Sequence, residues 1–313
     1  MTVVMMAVFA CGVLAQVSET GSGRELFADA AFELGFVLTG ASSLAPKIEL
    51  GVLQMSSTQT PQQPAWRMAQ WGSRYLLEPG LFKSEGGNRW LAETPGKRVV
   101  VERSEPGRTC VRLEVLGLPE YAGHLRAYGE AWPHLLLEQR FDNPVALRAL
   151  KRLAFSVEMR IPYCKAAPDV KLDPGLHTAQ VSAFWSVHNM TRGNPDFQDM
   201  IWFGIPFFDA RWDIPWPNYS VDSGKADATQ KFICMLDGKR FWKGRTGDGQ
   251  WRKLDAELCG LIREGLAISQ EHGFLKSTRF EDLAIATFNL GWEVPGPYDA
   301  ALEFRDLSMK AFD

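Results

Sequence analysis

The stretch from His177 to Asp213 constrains the fold more than any other part of the chain, because it holds two adjacent strand patterns joined by a polar loop. Residues 177–189 alternate between apolar and polar side chains, which is typical of a strand buried on one face. The run 200–209 is nearly continuously apolar, which indicates a central strand buried on both faces. It is followed by the charged sequence Ala-Arg-Trp-Asp, so we expect the exit of the central strand to form the edge of a binding cleft.

Strand patterns also recur along the rest of the chain. The other predicted strands cover residues 97–103, 109–116, 131–139, 153–161, 229–236, 283–290 and 301–309. One helix is expected from an N-cap at Asp255 to a glycine cap at Gly273. Asp237-Gly238 predicts a hairpin turn. About nine or ten strands without β–α alternation predict an all-β fold, an antiparallel β-sandwich with one late α-helix.

The first 64 residues differ in composition from the rest. Residues 1–15 form an uncharged apolar run that is too short to span a bilayer, and we interpret them as a secretory signal peptide. Lipid anchoring through Cys11 and a buried or misassigned start are the alternatives. Residues 16–64 are interpreted as a leader and polar linker, and residues 65–313 as a single β-sandwich domain. The predicted location is therefore secreted or periplasmic.

The bulk composition limits partners and cofactors. A net charge of −3 gives no electrostatic case for a nucleic-acid partner. The chain has 11 Trp, 18 Pro and 28 Gly. This mixture favours strands linked by turns, with aromatic side chains left over for the surface. Four cysteines follow Cys11 and could form two disulfides in three pairings or remain thiols. They are Cys110, Cys164, Cys234 and Cys259. No metal site or cofactor is predicted from them, and a structural calcium ion is left open.

A second informative stretch is the strand pattern around Trp132. Glu130, Trp132, His134 and Glu138 share one face, which suits a polar, ring-shaped ligand; a solvated outer face is the alternative. Glu130 and Glu138 would lie roughly 26 Å apart on one strand, whereas a glycosidic acid and base need about 5 to 10 Å. A catalytic pair must therefore come from different strands, and Glu138 with Asp209 is the predicted pair.

His134 and His188 are candidates for general acid or base if both strands face one groove. The alternative is that each is a hydrogen-bonded surface residue. His188 shares the polar face of its strand with Gln180, which is a candidate substrate-binding residue. Asp209 and Arg211 either form a structural ion pair or leave Arg211 to bind the carboxylate of an acidic sugar.

Tryptophans supply the remaining candidates. Trp212 and Trp216 lie on a proline-stiffened loop, where they either stack on sugar rings or pack under the loop. Trp185 and Trp202 are assigned to the core.

The export signal, the sandwich pattern, the Trp-rich polar strand face and the Trp-Phe-Gly-Ile-Pro-Phe-Phe-Asp strand together resemble concanavalin A-like β-sandwich proteins of jelly-roll type. That group includes glycoside hydrolases, polysaccharide lyases and lectin-like modules, and the resemblance covers residues 65–313. The Glu-x-Asp-x-x-Glu strand of laminarinase-type glucanases is absent. The Gln-Ile-His strand of alginate lyases has only Thr-Ala-Gln-Val at residues 178–181 as its nearest match. No catalytic residue is therefore transferred by motif.

The resemblance implies a secreted enzyme that degrades a polysaccharide or oligosaccharide, either by hydrolysis or by elimination. In the lyase version Arg211 offsets the uronate charge while His188 or His134 takes the proton. In the hydrolase version Glu138 and Asp209 act as acid and base. A non-catalytic carbohydrate-binding module and a structural surface protein are the rival hypotheses. The catalytic versions require these five side chains to converge within about 10 Å.

Overall fold

The computed structural model describes residues 23–40, 49–55, 63–105, 108–223 and 228–313. Its strands are β1 (Arg24–Glu25), β2 (Gly35–Thr39), β3 (Glu49–Gln54), β4 (Arg67–Ala69), β5 (Lys83–Ser84), β6 (Arg89–Thr94), β7 (Lys97–Glu105), β8 (Arg108–Leu116), β9 (His134–Ala146), β10 (Arg152–Ala166), β11 (Gln180–Asn189), β12 (Met200–Asp209), β13 (Asn218–Val221), β14 (Phe232–Met235), β15 (Arg252–Glu257), β16 (Leu283–Glu293) and β17 (Tyr298–Phe312). The helices are α1 (Gly117–Glu120) and α2 (Leu258–Glu271), with 3₁₀ turns at Leu147–Ala149, Gly238–Arg240 and Phe280–Asp282.

The strands form two sheets. The eight-stranded sheet has the order β15-β10-β17-β8-β7-β6-β5, with β1 paired to β17. The nine-stranded sheet has the order β13-β14-β12-β11-β16-β9-β4-β2-β3. Neighbouring strands are antiparallel except β12 with β14 and β2 with β4. The predicted all-β sandwich with one late α-helix is confirmed, and the short helix α1 is additional to the prediction.

The core lies between the two sheets and is built from the apolar residue of each alternating pair. Phe155 of the eight-stranded sheet contacts Trp185 of the nine-stranded sheet edge to face, with ring centroids 4.9 Å apart. Phe155 also contacts Phe288 at 5.7 Å. Because alternate residues of a strand point to opposite sides, the nine-stranded sheet turns its polar residues to its outward face.

The folded domain begins well before Ala65, which corrects the predicted boundary. Strands β1, β2 and β3 all precede Ala65 and pair within the sheets. Phe27 and Phe32 are buried and lie 5.2 and 5.0 Å from the ring of Trp66, so this segment completes the core. The predicted signal peptide, Cys11 and most of the polar linker lie outside the described residues, and export stays a prediction.

Local structure differs from expectation at two points. Helix α2 is capped by Glu257, whose carboxylate accepts hydrogen bonds from the backbone N–H groups of Cys259 and Gly260. Asp255 lies in β15 instead. The Asp237-Gly238 hairpin prediction is wrong, because a 3₁₀ turn follows and β14 pairs in parallel with β12.

Two further findings concern cysteines and membrane spans. The four cysteines at positions 110, 164, 234 and 259 are free thiols, so no disulfide forms among them. Among the residues described, no helix has the length and apolar character needed to span a membrane.

Candidate functional site

The outward face of the nine-stranded sheet carries a groove of about 540 Å³. Its lining includes three carboxylates, one histidine and four large aromatic side chains. These are Glu138, Asp222 and Glu293, then His134, then Trp71, Trp132, Phe184 and Trp202. No Lys or Arg lines the groove within the part of the chain that the structure describes. A surface with this composition favours a neutral ligand with flat apolar faces and hydroxyl groups.

Strand register brings four groove residues into one row. Gln180 on β11 pairs with Glu293 on β16, and Glu293 pairs with His134 on β9. The backbone N–H of His134 in turn donates to the carbonyl of Trp71 at 2.9 Å. Neighbouring strands lie about 4.8 Å apart, so Glu293 lies between two polar side chains at hydrogen-bonding reach.

Glu293 is held by two neighbours. The indole N–H of Trp132 donates to Oε2 of Glu293 at 3.1 Å. The Nε2 atom of His134 lies 3.5 Å from the same oxygen. The rings of Trp132 and His134 are stacked, with centroids 5.7 Å apart. Glu293 is thus a carboxyl group with a fixed orientation whose side chain keeps 30% of its surface exposed to the groove.

Glu138 is the second glutamate of the groove. It pairs with Asn289, four residues before Glu293 on β16. The strand rise and strand spacing then place the Cα atoms of Glu138 and Glu293 roughly 14 Å apart.

The predicted catalytic residues do not converge. His188 lies on the same sheet face as His134, but eight residues along and two strands across, which is roughly 28 Å. Glu138 and Asp209 are separated by four residues and three strands, roughly 20 Å, so they cannot form the predicted pair. His188 is half-buried. Burial and the nearby charge of Lys231 lower its pKa.

Asp209 and Arg211 form a closed structural ion pair. The guanidinium of Arg211 donates to both carboxylate oxygens of Asp209, at 2.9 and 2.6 Å, and to the carbonyl of Pro174 at 3.2 Å. Asp209 is buried and also accepts from Thr178 at 2.8 Å and Gln180 at 3.1 Å. Neither charged residue lines the groove. The roles predicted for them, an acid or base and a uronate-binding cation, therefore do not fit.

Other predicted binding residues divide between groove and surface. Gln180 and Trp132 line the groove. Glu130 precedes β9 and caps its own loop, accepting from the backbone of Ala127 at 2.9 Å and from His124 at 3.0 Å. The strand alternation that was expected to place Glu130 beside Trp132 begins only at His134.

The tryptophans also differ from expectation in part. Trp212 and Trp216 stack on each other outside the groove lining. Trp185 is fully buried, as predicted. The core assignment of Trp202 is wrong, because its side chain lines the groove and its indole N–H donates to the Thr229 hydroxyl at 3.0 Å.

The main residue that the sequence analysis missed is Glu293. The predicted strand stopped at Leu290, although polar and apolar residues continue to alternate through Gly291, Trp292 and Glu293. If the alternating pattern is continued for three more residues, Glu293 lies on the same strand face as Asn289, opposite the buried Trp292.

No family model matches the chain, and no curated protein matches it in sequence. Among solved structures, the endoglucanase Cel12A from Rhodothermus marinus is 10% identical, with 72% of this chain and 92% of that chain covered and a TM-score of 0.37. A family 12 xyloglucanase from Bacillus licheniformis is 8% identical, with 75% and 99% covered and a TM-score of 0.36. A family 11 xylanase from Neocallimastix patriciarum is 8% identical, with 74% and 98% covered and a TM-score of 0.34. Because similarity at this level carries no functional argument, the function has to be inferred from the residues of the groove.

Proposed function

We propose that the protein hydrolyses a neutral polysaccharide bound in the groove. The observation that carries this proposal is the fixed carboxyl group of Glu293, oriented by Trp132 and His134 among aromatic side chains. A carboxyl group that is held in one orientation and still reaches the ligand is what acid–base hydrolysis of a glycosidic bond requires.

The charge of the groove favours a neutral substrate. Three carboxylates line it and no described Lys or Arg does, so a chain of uronate sugars would be repelled. Elimination would need a cation to offset the uronate carboxylate. The residue predicted for that role, Arg211, is already bound to Asp209. Hydrolysis of an uncharged chain fits these contacts better than elimination does.

We assign the acid and base roles to Glu293 and Glu138. Their Cα atoms are roughly 14 Å apart by register. Because Glu293 is held by Trp132 and His134, it is the side chain of Glu138 that has to lean along the groove to reach the roughly 6.5 to 9.5 Å of an inverting enzyme, which leaves room for a water molecule. The roughly 5 Å of a retaining enzyme is out of reach at this Cα separation. The proposal therefore includes inversion at the anomeric carbon.

The test is reducing-end release from a panel of polysaccharides by the wild type, Glu293→Gln and Glu138→Gln. Neutral β-glucan, xyloglucan and xylan are set against alginate and pectate. We expect release from at least one neutral polymer and a loss of at least about 1000-fold in kcat for each variant. Asp222→Asn is the matched control, because Asp222 lies at the far side of the groove and accepts from Thr229. Unsaturated products from alginate or pectate would instead support a lyase.

A non-catalytic carbohydrate-binding module is the second candidate. The groove floor between the carboxylates is apolar, with Leu136, Phe184, Ile233 and Met235 in its lining. Such a floor binds sugar rings without chemistry. Polymer binding by the wild type without any reducing-end release would favour this function.

A further inference from the structure

Trp212 and Trp216 form a stacked pair on the protein surface. Their ring centroids are 4.4 Å apart with an interplanar angle of 10°. Both residues stay exposed, at 40% and 59% of their surface. The two indole rings lie face to face. Each ring covers one face of the other and turns its second face away from the pair. Contiguous exposed apolar patches often mark a binding surface, whereas single exposed apolar side chains need no explanation.

The loop that carries the pair is held in place at several points. Its first turn is closed by the Trp212 N–H, which donates to the Asp209 carbonyl at 3.1 Å. The Asp213 carbonyl accepts from Thr246 at 3.0 Å, and the Pro215 carbonyl accepts from Gly238 at 3.1 Å. Pro215 and Pro217 flank Trp216 and restrict its backbone. The rings are therefore preorganised, which lowers the ordering cost of binding.

The loop that carries the stacked pair adjoins residues of the groove at both of its ends. Asn218 begins β13 and lines the groove, so Trp216 lies two residues, about 7 Å of extended chain, from its wall. At the other end of the loop, Asp209 accepts a hydrogen bond from Gln180, which also lines the groove. Asp209 is two strands from Glu293 in the same row, about 10 Å.

We propose that Trp212 and Trp216 form a sugar-stacking subsite outside the groove, which holds the neutral polysaccharide where the chain leaves the groove beyond Gln180. This inference rests on the proposed function for the identity of the ligand. A pyranose ring matches the stacked pair, because its C–H face is flat and apolar. At 40% and 59% exposure the two tryptophans offer on the order of 250 Å², well below the roughly 800 Å² that each partner contributes to a standard protein interface, so a protein partner fits less well.

The test measures binding in a Glu293→Gln background, which separates binding from turnover. Trp212→Ala and Trp216→Ala are compared with Trp212→Phe and Trp216→Phe, which keep a stacking ring. Trp251→Ala is the matched control, because Trp251 lies on the outer face of the other sheet between Arg160 and Arg305. The ligands are a long soluble xyloglucan or β-glucan and a four-sugar fragment of whichever polymer binds.

We expect each alanine variant to bind the polymer about ten-fold more weakly and the short fragment unchanged, because the fragment fills only the groove. The phenylalanine variants and Trp251→Ala should bind both ligands nearly as well as the parent. Equal polymer binding by the alanine variants would overturn the inference, as would an equal loss for polymer and fragment or a wild type that binds no neutral polymer. Tryptophan-dependent binding without reducing-end release would overturn only the hydrolysis.

Discussion

His134 faces Glu293 with its Nε2 atom, 3.5 Å from Oε2, because its Nδ1 atom lies 3.0 Å from the carbonyl oxygen of Trp132. A carbonyl only accepts, so Nδ1 carries a hydrogen in this arrangement. The indole N–H of Trp132 donates to the same Oε2 atom at 3.1 Å, so both aromatic residues lie against one oxygen of the Glu293 carboxylate and fix its orientation.

The first prediction is that His134 positions Glu293 for the reaction. His134→Gln removes the imidazole that lies 3.5 Å from Oε2 of Glu293 and should lower kcat by about 10 to 100-fold with a nearly unchanged KM. His188→Gln, roughly 28 Å away on the same face, should leave kcat as it is. An unchanged kcat in His134→Gln would show that the histidine only packs against Trp132.

The second prediction concerns the buried ion pair between Lys97 and Glu120. Both side chains are fully buried, and Lys97 also donates to the carbonyl of Tyr75 at 2.7 Å while Glu120 accepts from the backbone of Arg74 at 2.5 Å. Burial lowers the pKa of Lys97, and the charge of Glu120 opposes that shift. Each single variant, Lys97→Met or Glu120→Gln, leaves one buried charge and should cost about 3 to 5 kcal/mol.

The double variant should cost clearly less than the sum of the two singles, because no unpaired charge remains. Urea unfolding of the four proteins measures this. The pair also fixes the backbone three residues after Trp71, so the single variants should bind polysaccharide more weakly. Additive single costs would show that the two charges do not depend on each other.

Much of the fold was predictable from side-chain alternation. Residues 200–209 form β12 with the predicted bounds, because a run buried on both faces has no helical stripe. Strand pairing was harder to predict from the sequence. β12 and β14 pair in parallel, and the Asp237-Gly238 turn signal is used to start a 3₁₀ turn. Local turn chemistry does not specify which strand becomes the neighbour.

The candidate site was predictable only in part. Alternation identified the faces of His134, Glu138 and Gln180, which do line the groove. It could not give register between strands, so it paired Glu138 with Asp209 across roughly 20 Å. Register is set by long-range contacts that a single sequence does not display. The row of His134, Glu293 and Gln180 depends on it entirely.

The third prediction is that the four described cysteines are unreactive in the folded protein. Burial raises the pKa of each thiol to about 12, and the thiolate is the reactive form. In a Cys11→Ser background, a thiol reagent at about pH 8 should label fewer than one cysteine per native chain. Four should react in concentrated guanidinium chloride without reductant. Fewer than four under those conditions would reveal a disulfide.

The fourth prediction is that His188 makes stability depend on pH. Burial, which disfavours the charged imidazole, and repulsion by Lys231 and Arg140 lower its pKa, while Asp199 acts in the opposite direction. Above about pH 6.5 the histidine is neutral in both the folded and the unfolded chain and contributes no slope. As the pH falls through about 6.5, the imidazole of His188 binds a proton in the unfolded chain but not in the folded chain. The free energy of unfolding therefore falls. The loss levels off below the folded-state pKa.

Urea unfolding of the wild type and His188→Gln across this pH range isolates the contribution, and the variant should show the smaller slope. Lys231→Gln serves as a second variant. Lys231 lies 2.7 Å from Asp199, so its removal leaves Asp199 to attract the imidazolium and should also flatten the curve. Equal slopes in the wild type and His188→Gln would mean that other groups carry the acid sensitivity. Because His188 is far from Glu293, neither variant should alter kcat.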